Sequence, residues 1–462
     1  MICISTRGQA PPVPFRQAVL SGLAPDGGLY VPQSLSPFPP DWWAEQSGQS
    51  FQAVAVNLAT RWLGDEFDAG LVRRLIVDAL DFPVPIVELD RGLGVVELFH
   101  GPTFAFKDFG ARMLARFMSE VQDDAQGELT VLVATSGDTG SAVAQAFFGV
   151  PRTRVVVLYP DGLVSDVQEA QFATLGGNVT ALAVEGTFDD CQRMVKDAFV
   201  DRELTRRVRL TSANSISLGR LLPQTFYYAY AAAQRSERGR VTISVPSGNF
   251  GNLVAGVLAW RLGAPIDRFV AATTINDTVP RYLATGRLEP RPSVPTLANA
   301  MDVGNPSNLE RLLWLFGNDL DQLRSMIAGV VHTDADVRSA IRTLHDKYNY
   351  VADPHSAIGY LGAVRSSLFA VRKTPDTSGT LGPPSLARDL SASFGEVSPK
   401  RPAAAAADTL FLATAHPAKF REVVETAIGA PVPIPDALAA ALARPRLSTR
   451  ISPTTQALIK LL

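Results

Sequence analysis

The feature that most constrains the fold is the alternation, from about residue 129 onward, of short runs rich in β-branched residues with longer segments of helical periodicity. The runs are TVLVA at 130–134, RVVVL at 154–158, VTALAV at 179–184, 208–210, VTISV at 241–245, 269–273 and TLFLA at 409–413. Windows between them, such as 141–148 and 188–200, place apolar residues at i, i+3 and i+4. This alternation predicts βαβ units, and therefore an α/β fold with a largely parallel sheet covered on both faces.

Two segments of the chain have a different character. The first 90 residues contain prolines at positions 11, 12, 14, 32, 37, 39 and 40 and a helical patch near 51–63, so we predict a separate N-terminal unit at 1–90. Residues 373–407 are rich in Pro, Ser, Gly and Ala, a composition typical of a surface loop or partly disordered insertion. We therefore divide the chain into 1–90, a core at 91–372, the insertion at 373–407 and a C-terminal part at 408–462.

Composition and charge exclude several classes of protein. A chain of 462 residues that is 46% hydrophobic suggests two or three packed units. The net charge of -2, without a basic block, argues against nucleic acid or an anionic membrane as the main partner. No apolar stretch is long enough for a transmembrane helix, and the N-terminus lacks the apolar region of a signal peptide. Cys3 and Cys191 form no metal or redox motif, so we expect no metal and a reduced, cytoplasmic protein.

The turn Ser247-Gly248-Asn249-Phe250-Gly251-Asn252 directly follows the run VTISV and precedes an apolar helix. Its glycines allow backbone N–H groups to converge on an anion at the start of the helix, and a phosphate suits such a turn. An ordinary strand-to-helix turn without a ligand is the competing interpretation. The turn is not a P-loop, because no Lys-Ser/Thr pair follows it, and it is not the G-x-G-x-x-G of a dinucleotide site.

A second polar turn, at 135–141, follows the run TVLVA and contains Ser136, Asp138 and Thr139. Residues of these types are common N-caps, which explains one or two of them, but so many donors at one turn favour an anion or carboxylate site. The segment HGPTFAFKD at 100–108 places Lys107 between Phe106 and an acid. Lys107 is therefore a candidate nucleophile or base with a lowered pKa, or else an ordinary solvated lysine.

A fourth polar turn, at 211–220, follows the run at 208–210 and offers an amide from Asn214, a hydroxyl from Ser215 and a guanidinium from Arg220. The competing interpretation is that Arg220 is a simple surface cation without a ligand. Ligands of parallel sheets bind beyond the carboxyl ends of the strands, where these turns lie. Four such turns together favour a site for anions, either two phosphates or a phosphate and a carboxylate.

At these motifs the chain resembles the threonine synthase family, and in particular its longer branch. The resemblance covers most of the chain in order and spacing. It is carried by STRG…APDGGLYVP (5–32), HGPTFAFKD, ATSGDTGSA, PSGNFGN, MDVGNPSNLER (301–311) and ATAHPAKF (413–420). It implies a fold-type-II pyridoxal 5′-phosphate (PLP) enzyme, similar to tryptophan synthase β, with parallel-rich sheets in two lobes at 91–372 and an N-terminal domain.

The resemblance also implies roles for individual residues. Lys107 would bind PLP covalently and act as the acid–base group at Cα and Cβ, and the hydroxyl of Thr414 would meet the pyridine nitrogen. The implied cofactor contacts are Lys107, Gly248, Asn249, Phe250, Gly251, Asn252, Thr414 and Asp138. The implied substrate contacts are Ser136, Thr139, Asn214, Ser215 and Arg220. The stretch 305–308 would shape the site, and 217–219 departs from the family's pattern just before Arg220.

The implied reaction is γ-elimination of phosphate from O-phospho-L-homoserine followed by addition of water at Cβ, which gives L-threonine. The departing phosphate is then a candidate base for that water. We interpret His100 and His416 as structural residues or as residues that support the site from behind, and direct catalysis is the competing interpretation. The resemblance favours a monomer. The alternatives are another fold-type-II lyase such as a serine/threonine dehydratase, an inactive relative that only binds an anion, and, more distantly, a nucleotide-binding kinase.

Overall fold

Three sheets organise the described part of the chain, residues 1–122, 127–370 and 408–462 of a computed structural model. The predicted insertion at 373–407 lies outside these residues. The strands are β1 (Ile2–Ser5), β2 (Val13–Pro14), β3 (Tyr30–Pro32), β4 (Ile86–Asp90), β5 (Leu93–Glu97), β6 (Leu129–Ala134), β7 (Thr153–Pro160), β8 (Val179–Val184), β9 (Arg209–Ser212), β10 (Val241–Pro246), β11 (Ile266–Thr273), β12 (Ile327–Val331), β13 (Thr409–Ala413) and β14 (Thr449–Ile451).

Helices cover the two larger sheets and surround the N-terminal sheet. They are α1 (Phe15–Ser21), α2 (Pro40–Ala44), α3 (Phe51–Leu63), α4 (Ala69–Ala79), α5 (Lys107–Val121), α6 (Asp138–Phe147), α7 (Asp166–Ala173), α8 (Phe188–Val200), α9 (Arg202–Arg207), α10 (Leu218–Leu221), α11 (Thr225–Gln234), α12 (Gly251–Arg261), α13 (Thr278–Thr285), α14 (Leu309–Leu315), α15 (Leu320–Met326), α16 (Asp334–Tyr348), α17 (Pro354–Ala370), α18 (Arg421–Ile428), α19 (Asp436–Leu442) and α20 (Thr455–Ile459). Short 3₁₀ turns lie at Leu222–Gln224, Ser236–Arg238, Asn299–Met301 and Pro417–Phe420. None of the helices described combines the length and apolar character that crossing a lipid bilayer requires.

The sheets are mostly parallel, as the alternation predicted. The order β12-β11-β10-β13-β5-β4 forms a six-stranded sheet in which β4 alone pairs antiparallel, with β5. The order β14-β8-β7-β6-β9 forms a fully parallel five-stranded sheet. The small sheet β2-β1-β3 near the N-terminus is antiparallel. This confirms the α/β fold with parallel-rich sheets, whereas the proposed division into domains stays a prediction.

All seven predicted strands form, with one informative difference at their ends. The strand predicted at 208–210 is β9, which continues through Thr211 and Ser212, two residues that we had assigned to the following turn. Thr211 and Ser212 pair with Val131 and Leu132 of β6, because threonine fits a pleated sheet and both side chains are buried. The polar turn therefore begins at Ala213. Cys3 and Cys191 are buried free thiols.

The topology brings the predicted polar turns to two facing sets of strand ends. In the six-stranded sheet, β10, β13 and β5 are parallel neighbours, so the segments that follow them leave the same edge. In the five-stranded sheet, β6 and β9 are parallel neighbours, and the turns at 135–141 and 213–220 likewise leave one edge together. The adjacency of these strands, which are distant in sequence, collects the polar residues into one region.

Helices α5 and α10 pack closely because each carries a glycine at the contact. A Cβ atom added to Gly110 of α5 would lie 2.5 Å from the backbone oxygen of Arg220. A Cβ atom added to Gly219 of α10 would lie 2.7 Å from Leu114 and 3.2 Å from Val19. The two glycines therefore fix how near the helix that carries Arg220 lies to the helix that begins at Lys107.

We expect Gly110→Ala to lower the free energy of unfolding by about 1–3 kcal/mol, because the added methyl group meets backbone that must move. Helix propensity alone would instead favour alanine by about 1 kcal/mol. Urea denaturation measures the difference. Gly70→Ala in α4 is the matched control, since its new Cβ would meet only the ends of the Asp68 and Arg74 side chains. Equal stability of Gly110→Ala and wild type would contradict the packing argument.

Candidate active site

Lys107 is the first residue of α5 and lies in a mostly buried position at the junction of the two larger sheets. Its Nζ is 3.3 Å from Oδ2 of Asp138 and 5.2 Å from the centre of the Phe106 ring, and its side chain is 14% exposed. Burial lowers the pKa of Lys107, Asp138 opposes this shift, and the charges of Lys419 and Arg220 add to it. Lys107 is therefore not a solvated surface lysine, and its surroundings favour the neutral amine.

The acid next to Lys107 in sequence is not its partner. Asp108 is buried and accepts hydrogen bonds from the backbone N–H and the hydroxyl of Thr103, at 2.9 and 2.6 Å. Burial raises the pKa of Asp108 to about 6. Asp108 thus closes the turn that precedes α5, and Asp138 supplies the carboxylate to Lys107.

Asp138 lies between two lysines at the start of α6. Oδ1 of Asp138 is 2.7 Å from Nζ of Lys419 and also accepts a hydrogen bond from the Gln168 amide at 3.0 Å. Burial alone would raise the pKa of Asp138, but Lys419 and Lys107 outweigh it and hold the pKa well below its usual range. Asp138 is therefore an ionised, fully engaged carboxylate. Lys419 belongs to the motif ATAHPAKF, although the sequence analysis gave it no role.

Thr414 lies at the end of β13, directly beside the segment that carries Lys107. Its backbone oxygen accepts from the N–H of Phe106 at 2.9 Å, and its own N–H donates to the Ser356 hydroxyl at 3.1 Å. The Ser356 hydroxyl donates in turn to the buried carboxylate of Asp353, which also accepts from the ring of His355 at 2.6 Å. Ser356 and Asp353 at the start of α17 therefore fix Thr414, and sequence reasoning missed both.

The turn from Ser247 to Asn252 has the geometry of an anion cradle. Phe250 adopts a left-handed backbone conformation, with φ of 62°, immediately before α12. The first N–H of α12 that bonds back along the chain belongs to Val254, and the N–H groups of 248–252 donate to no acceptor among the described residues. A Cβ atom on Gly248 would lie 2.6 Å from Cα of Met301. The unpaired N–H groups leave room for a phosphate.

Asn252 lies beneath this cradle and does not point at its opening. Its side-chain oxygen accepts hydrogen bonds from the hydroxyls of Tyr227 and Tyr228, at 2.7 and 2.8 Å. The Tyr227 ring packs against Phe109 of α5, with ring centres 5.1 Å apart. This contact connects the cradle to the helix of Lys107. The amide nitrogen of Asn252 is buried and has no partner among the described residues.

In the turn at 135–141, Thr135 is the residue whose side chain caps the start of α6. Its hydroxyl accepts from the N–H groups of Gly137 and Gly140, at 2.9 and 2.8 Å. The hydroxyls of Ser136 and Thr139 are half-buried and bond to no other group in the described ranges. Capping thus explains Thr135 and leaves Ser136 and Thr139 available to a ligand.

The turn at 213–220 carries unpaired polar atoms and joins the cradle. Arg220 is buried, donates to the backbone oxygen of Ala213 at 2.7 Å, and leaves its Nε without a partner among the described residues. Burial lowers the pKa of Arg220 to about 10. The side-chain oxygen of Asn214 is likewise buried and unpaired within those ranges. The Ser215 hydroxyl accepts from the Asn249 amide at 2.6 Å, which connects the two predicted phosphate sites.

Arg311 holds this turn in place from α14. Its guanidinium donates to the backbone oxygens of Tyr30 at 3.0 Å and Ile216 at 2.6 Å, and to the side-chain oxygen of Asn308 at 2.9 Å. Burial lowers its pKa to about 9. Arg311 therefore ties the N-terminal strand β3, the turn at 213–220 and the stretch 305–308 together. Its presence in the motif MDVGNPSNLER was the only sequence signal for it.

The two histidines of the motifs lie beside the site. His100 pairs with Glu97 at 2.7 Å, and the ring of His416 accepts from the N–H of Ala418 at 3.1 Å. Burial, and to a smaller extent the charge of His100, lowers the pKa of His416 to about 4. These contacts agree with a structural role, which stays a prediction.

Comparison with known proteins places the chain in a family. A family model described as "Pyridoxal-phosphate dependent enzyme" matches residues 81–374, "Threonine synthase N terminus" matches 3–80, and "Threonine synthase, C-terminal" matches 396–461. Threonine synthase of Escherichia coli (strain K12) is 40% identical over 452 residues, which cover 97% of this chain and 96% of that protein. The chain belongs to the threonine synthase family. The resemblance that we described from the motifs is thereby confirmed.

Solved structures of threonine synthases agree with this membership. The crystal structure of the Escherichia coli enzyme superimposes with a TM-score of 0.86 at 38% identity and covers 100% of this chain and 99% of its own. The PLP-bound threonine synthase from Brucella melitensis also gives a TM-score of 0.86, at 34% identity, with 100% and 98% covered. The fold is that of fold-type-II PLP enzymes, and the cofactor of the family is PLP.

The residues present fit PLP. The cradle at 248–252 offers unpaired N–H groups for a phosphate, and Lys107 offers an amine whose environment favours the neutral form. Around them lie three buried cationic side chains, Lys419, Arg220 and Arg311, against the carboxylates of Asp138 and Asp108. A threonine synthase site with this excess of buried positive charge is suited to anions, both a cofactor phosphate and an anionic substrate.

We expect Arg311→Met to lower the free energy of unfolding by on the order of 3 kcal/mol, because several buried carbonyl oxygens lose a charged donor. Urea denaturation of the full chain measures this loss. Arg338→Met on the exposed face of α16 serves as the control and should change stability by less than about 0.5 kcal/mol. If both variants match wild type, Arg311 does not organise the turn.

Proposed function

We propose that this chain is a threonine synthase, which converts O-phospho-L-homoserine and water into L-threonine and inorganic phosphate. The observation that carries the proposal is the pair of anion sites beside Lys107, connected by the hydrogen bond between Ser215 and Asn249. One site suits the cofactor phosphate and the other a phosphorylated substrate. Membership of the threonine synthase family supports the same activity.

In this proposal the cofactor phosphate binds the cradle of Gly248, Asn249, Phe250, Gly251 and Asn252. Asn252 contributes backbone there, because its side chain is held by two tyrosines. Thr414 meets the pyridine nitrogen with its hydroxyl, and its backbone is fixed by Ser356. The contribution of Asp138 is to pair with Lys107.

The substrate phosphate binds, in the same proposal, among Ser136, Thr139, Asn214, Ser215 and Arg220. The unpaired hydroxyls at 136 and 139 and the unpaired Nε of Arg220 supply donors, while the buried oxygen of Asn214 accepts from a donor on the substrate. Arg220 approaches the site because Gly110 and Gly219 let α10 rest on α5. Arg311 adds positive charge from behind the turn.

Bound PLP supplies the electron sink that makes loss of a proton from the substrate carbons feasible. Lys107 moves the protons at Cα and Cβ, and its buried amine is suited to accept one. Arg220 and the hydroxyls around it hold the phosphate group as it leaves Cγ. We infer that the departing phosphate then accepts the proton of the water that adds at Cβ, since His100 and His416 are engaged with other groups.

Another fold-type-II lyase, such as a serine/threonine dehydratase, would use the same lysine and cradle. The turn at 213–220 argues against it, because the side-chain hydroxyl of serine or threonine is uncharged and would not need the buried Arg220, whose Nε has no partner among the described residues. We also propose that the enzyme is cytoplasmic and monomeric, and that it binds neither nucleic acid nor membrane. The free cysteines support a reducing compartment, and the near-neutral charge supports the absence of nucleic-acid and membrane partners. The resemblance to the longer branch of the family supports the monomer.

We expect Lys107→Ala to lower kcat by more than about 10²-fold, because it removes the proton-transfer group. Purified protein with PLP is given O-phospho-L-homoserine, and phosphate and L-threonine are measured together. The exposed Lys460→Ala variant is the control and should behave as wild type. Phosphate without threonine from the wild type would indicate elimination alone, and no phosphate despite bound PLP would indicate a different reaction.

We expect Arg220→Met to lower kcat/KM for O-phospho-L-homoserine by about 10- to 100-fold, since one or two charge-assisted hydrogen bonds to phosphate are lost. Inhibition by inorganic phosphate should weaken in parallel, which steady-state kinetics at several phosphate concentrations would reveal. PLP content, read from visible absorbance, should stay at the wild-type level. Unchanged phosphate inhibition would remove Arg220 from the substrate site.

A further inference from the structure

Lys419 is a buried lysine next to the site to which nothing above assigns a role in the reaction. It lies in the 3₁₀ turn Pro417–Phe420 that follows β13, and its side chain is 0% exposed. Its Nζ is 2.7 Å from Oδ1 of Asp138 and donates to the backbone oxygen of Thr103 at 2.9 Å. Lys107 approaches the other oxygen of the same carboxylate, at the longer distance of 3.3 Å.

Charged groups from three other elements act on Lys107. Asp138 faces it from α6, Lys419 from the turn after β13, and Arg220 from α10. Asp108, the neighbour of Lys107 on α5, accepts hydrogen bonds from Thr103 instead. Among the described residues, Asp138 is therefore the one carboxylate paired with Lys107, and Lys419 competes for it at closer range.

This competition matters because an isolated buried pair of Lys107 and Asp138 would keep the amine protonated. A protonated amine has no free electron pair and accepts no proton. With Lys419 in place, the negative charge of Asp138 is already matched, so a second positive charge on Lys107 is both less attracted and directly repelled. The lower pKa of Lys107 follows from the same arrangement, with burial as its largest cause.

We propose that Lys419 is a positioning residue that neutralises the charge of Asp138. It thereby keeps the amine of Lys107 unprotonated, so that the amine can react with the cofactor and accept a proton from the substrate. The proposal deepens the proposed function, on which it rests for the identity of Lys107 as the reactive lysine. A purely structural role for Lys419, connecting Thr103 to α6, is the alternative. The two differ in whether the reactivity of Lys107 depends on the charge at position 419.

Competitive acetylation of the full-length chain, freed of PLP, tests this directly. Limiting isotope-labelled acetic anhydride is added across a range of pH, and mass spectrometry of the Lys107 peptide gives the rate at which its free amine reacts. We expect Lys419→Met to lower this rate about tenfold at neutral pH, since an opposite charge left unshared raises a lysine's pKa by one unit or more. Lys196→Met on the exposed side of α8 is the matched control and should leave the rate unchanged.

The pH profile of the loaded enzyme gives a second readout. A raised pKa of Lys107 means that the amine is free only at higher pH, so the acid limb of kcat should move to higher pH in Lys419→Met. An acetylation rate for Lys107 equal to that of wild type in folded Lys419→Met overturns the proposal. Melting of each variant, followed by circular dichroism, establishes folding.

If Lys419→Met does not fold, the acetylation rate of Lys107 is measured in Asp138→Asn instead, where the expected change has the opposite direction. Removing the carboxylate leaves Lys107 facing Lys419 and Arg220 alone, so its acetylation should be faster than in wild type. A slower or unchanged rate overturns the proposal. Because acetylation needs neither substrate nor turnover, absence of threonine production would overturn the proposed function while leaving this inference standing.

Discussion

The carboxylate of Asp138 joins the two larger sheets through the ammonium group of Lys419 and the amine of Lys107. Asp138 follows β6 of the five-stranded sheet, whereas Lys107 and Lys419 follow β5 and β13 of the six-stranded sheet. Removing the charges of Asp138 and Lys419 from water costs several kcal/mol per ion, which short contacts and added hydrogen bonds must offset. Gln168 and the backbone oxygen of Thr103 supply those bonds. The relative position of the two sheets near Lys107 thus depends on this shared carboxylate.

The same region contains two buried guanidinium groups, and neither forms a close ion pair with a carboxylate among the described residues. Arg220 and Arg311 contact backbone oxygens and an amide, and burial lowers their pKa values to about 10 and 9. Arg311 donates to several acceptors, whereas the Nε of Arg220 has no partner among the described residues, so the burial of Arg220 reduces the stability of the ligand-free protein. Anions that bind the site supply the missing negative charge. Their affinity is increased because the guanidinium groups have already lost their water during folding. Buried positive charge of this kind is typical of a site that binds phosphates.

Much of the fold and part of the site could be predicted from the sequence because their signals are local. Runs of β-branched residues gave the strands, and the turns after them gave the candidate ligands. Thr211 and Ser212 were misassigned because their polarity suggests a turn, while pairing with β6 extends the strand. Lys419, Arg311 and Ser356 were missed for a different reason. Each acts through a partner far away in sequence, and no local pattern indicates that partner.

The departure from the family pattern at 217–219 shows how such distant partners resolve a local irregularity. Gly219, directly before Arg220, has no side chain that could support it from within α10. In the structure Leu114 and Val19 fill the space beside Gly219, and Gly110 brings the backbone of α5 against Arg220 itself. These neighbours make the contacts that Gly219 cannot make, and α10 lies close to α5. The position of Arg220 therefore depends on the closeness of the two helices, and any group larger than hydrogen at Gly110 would separate them.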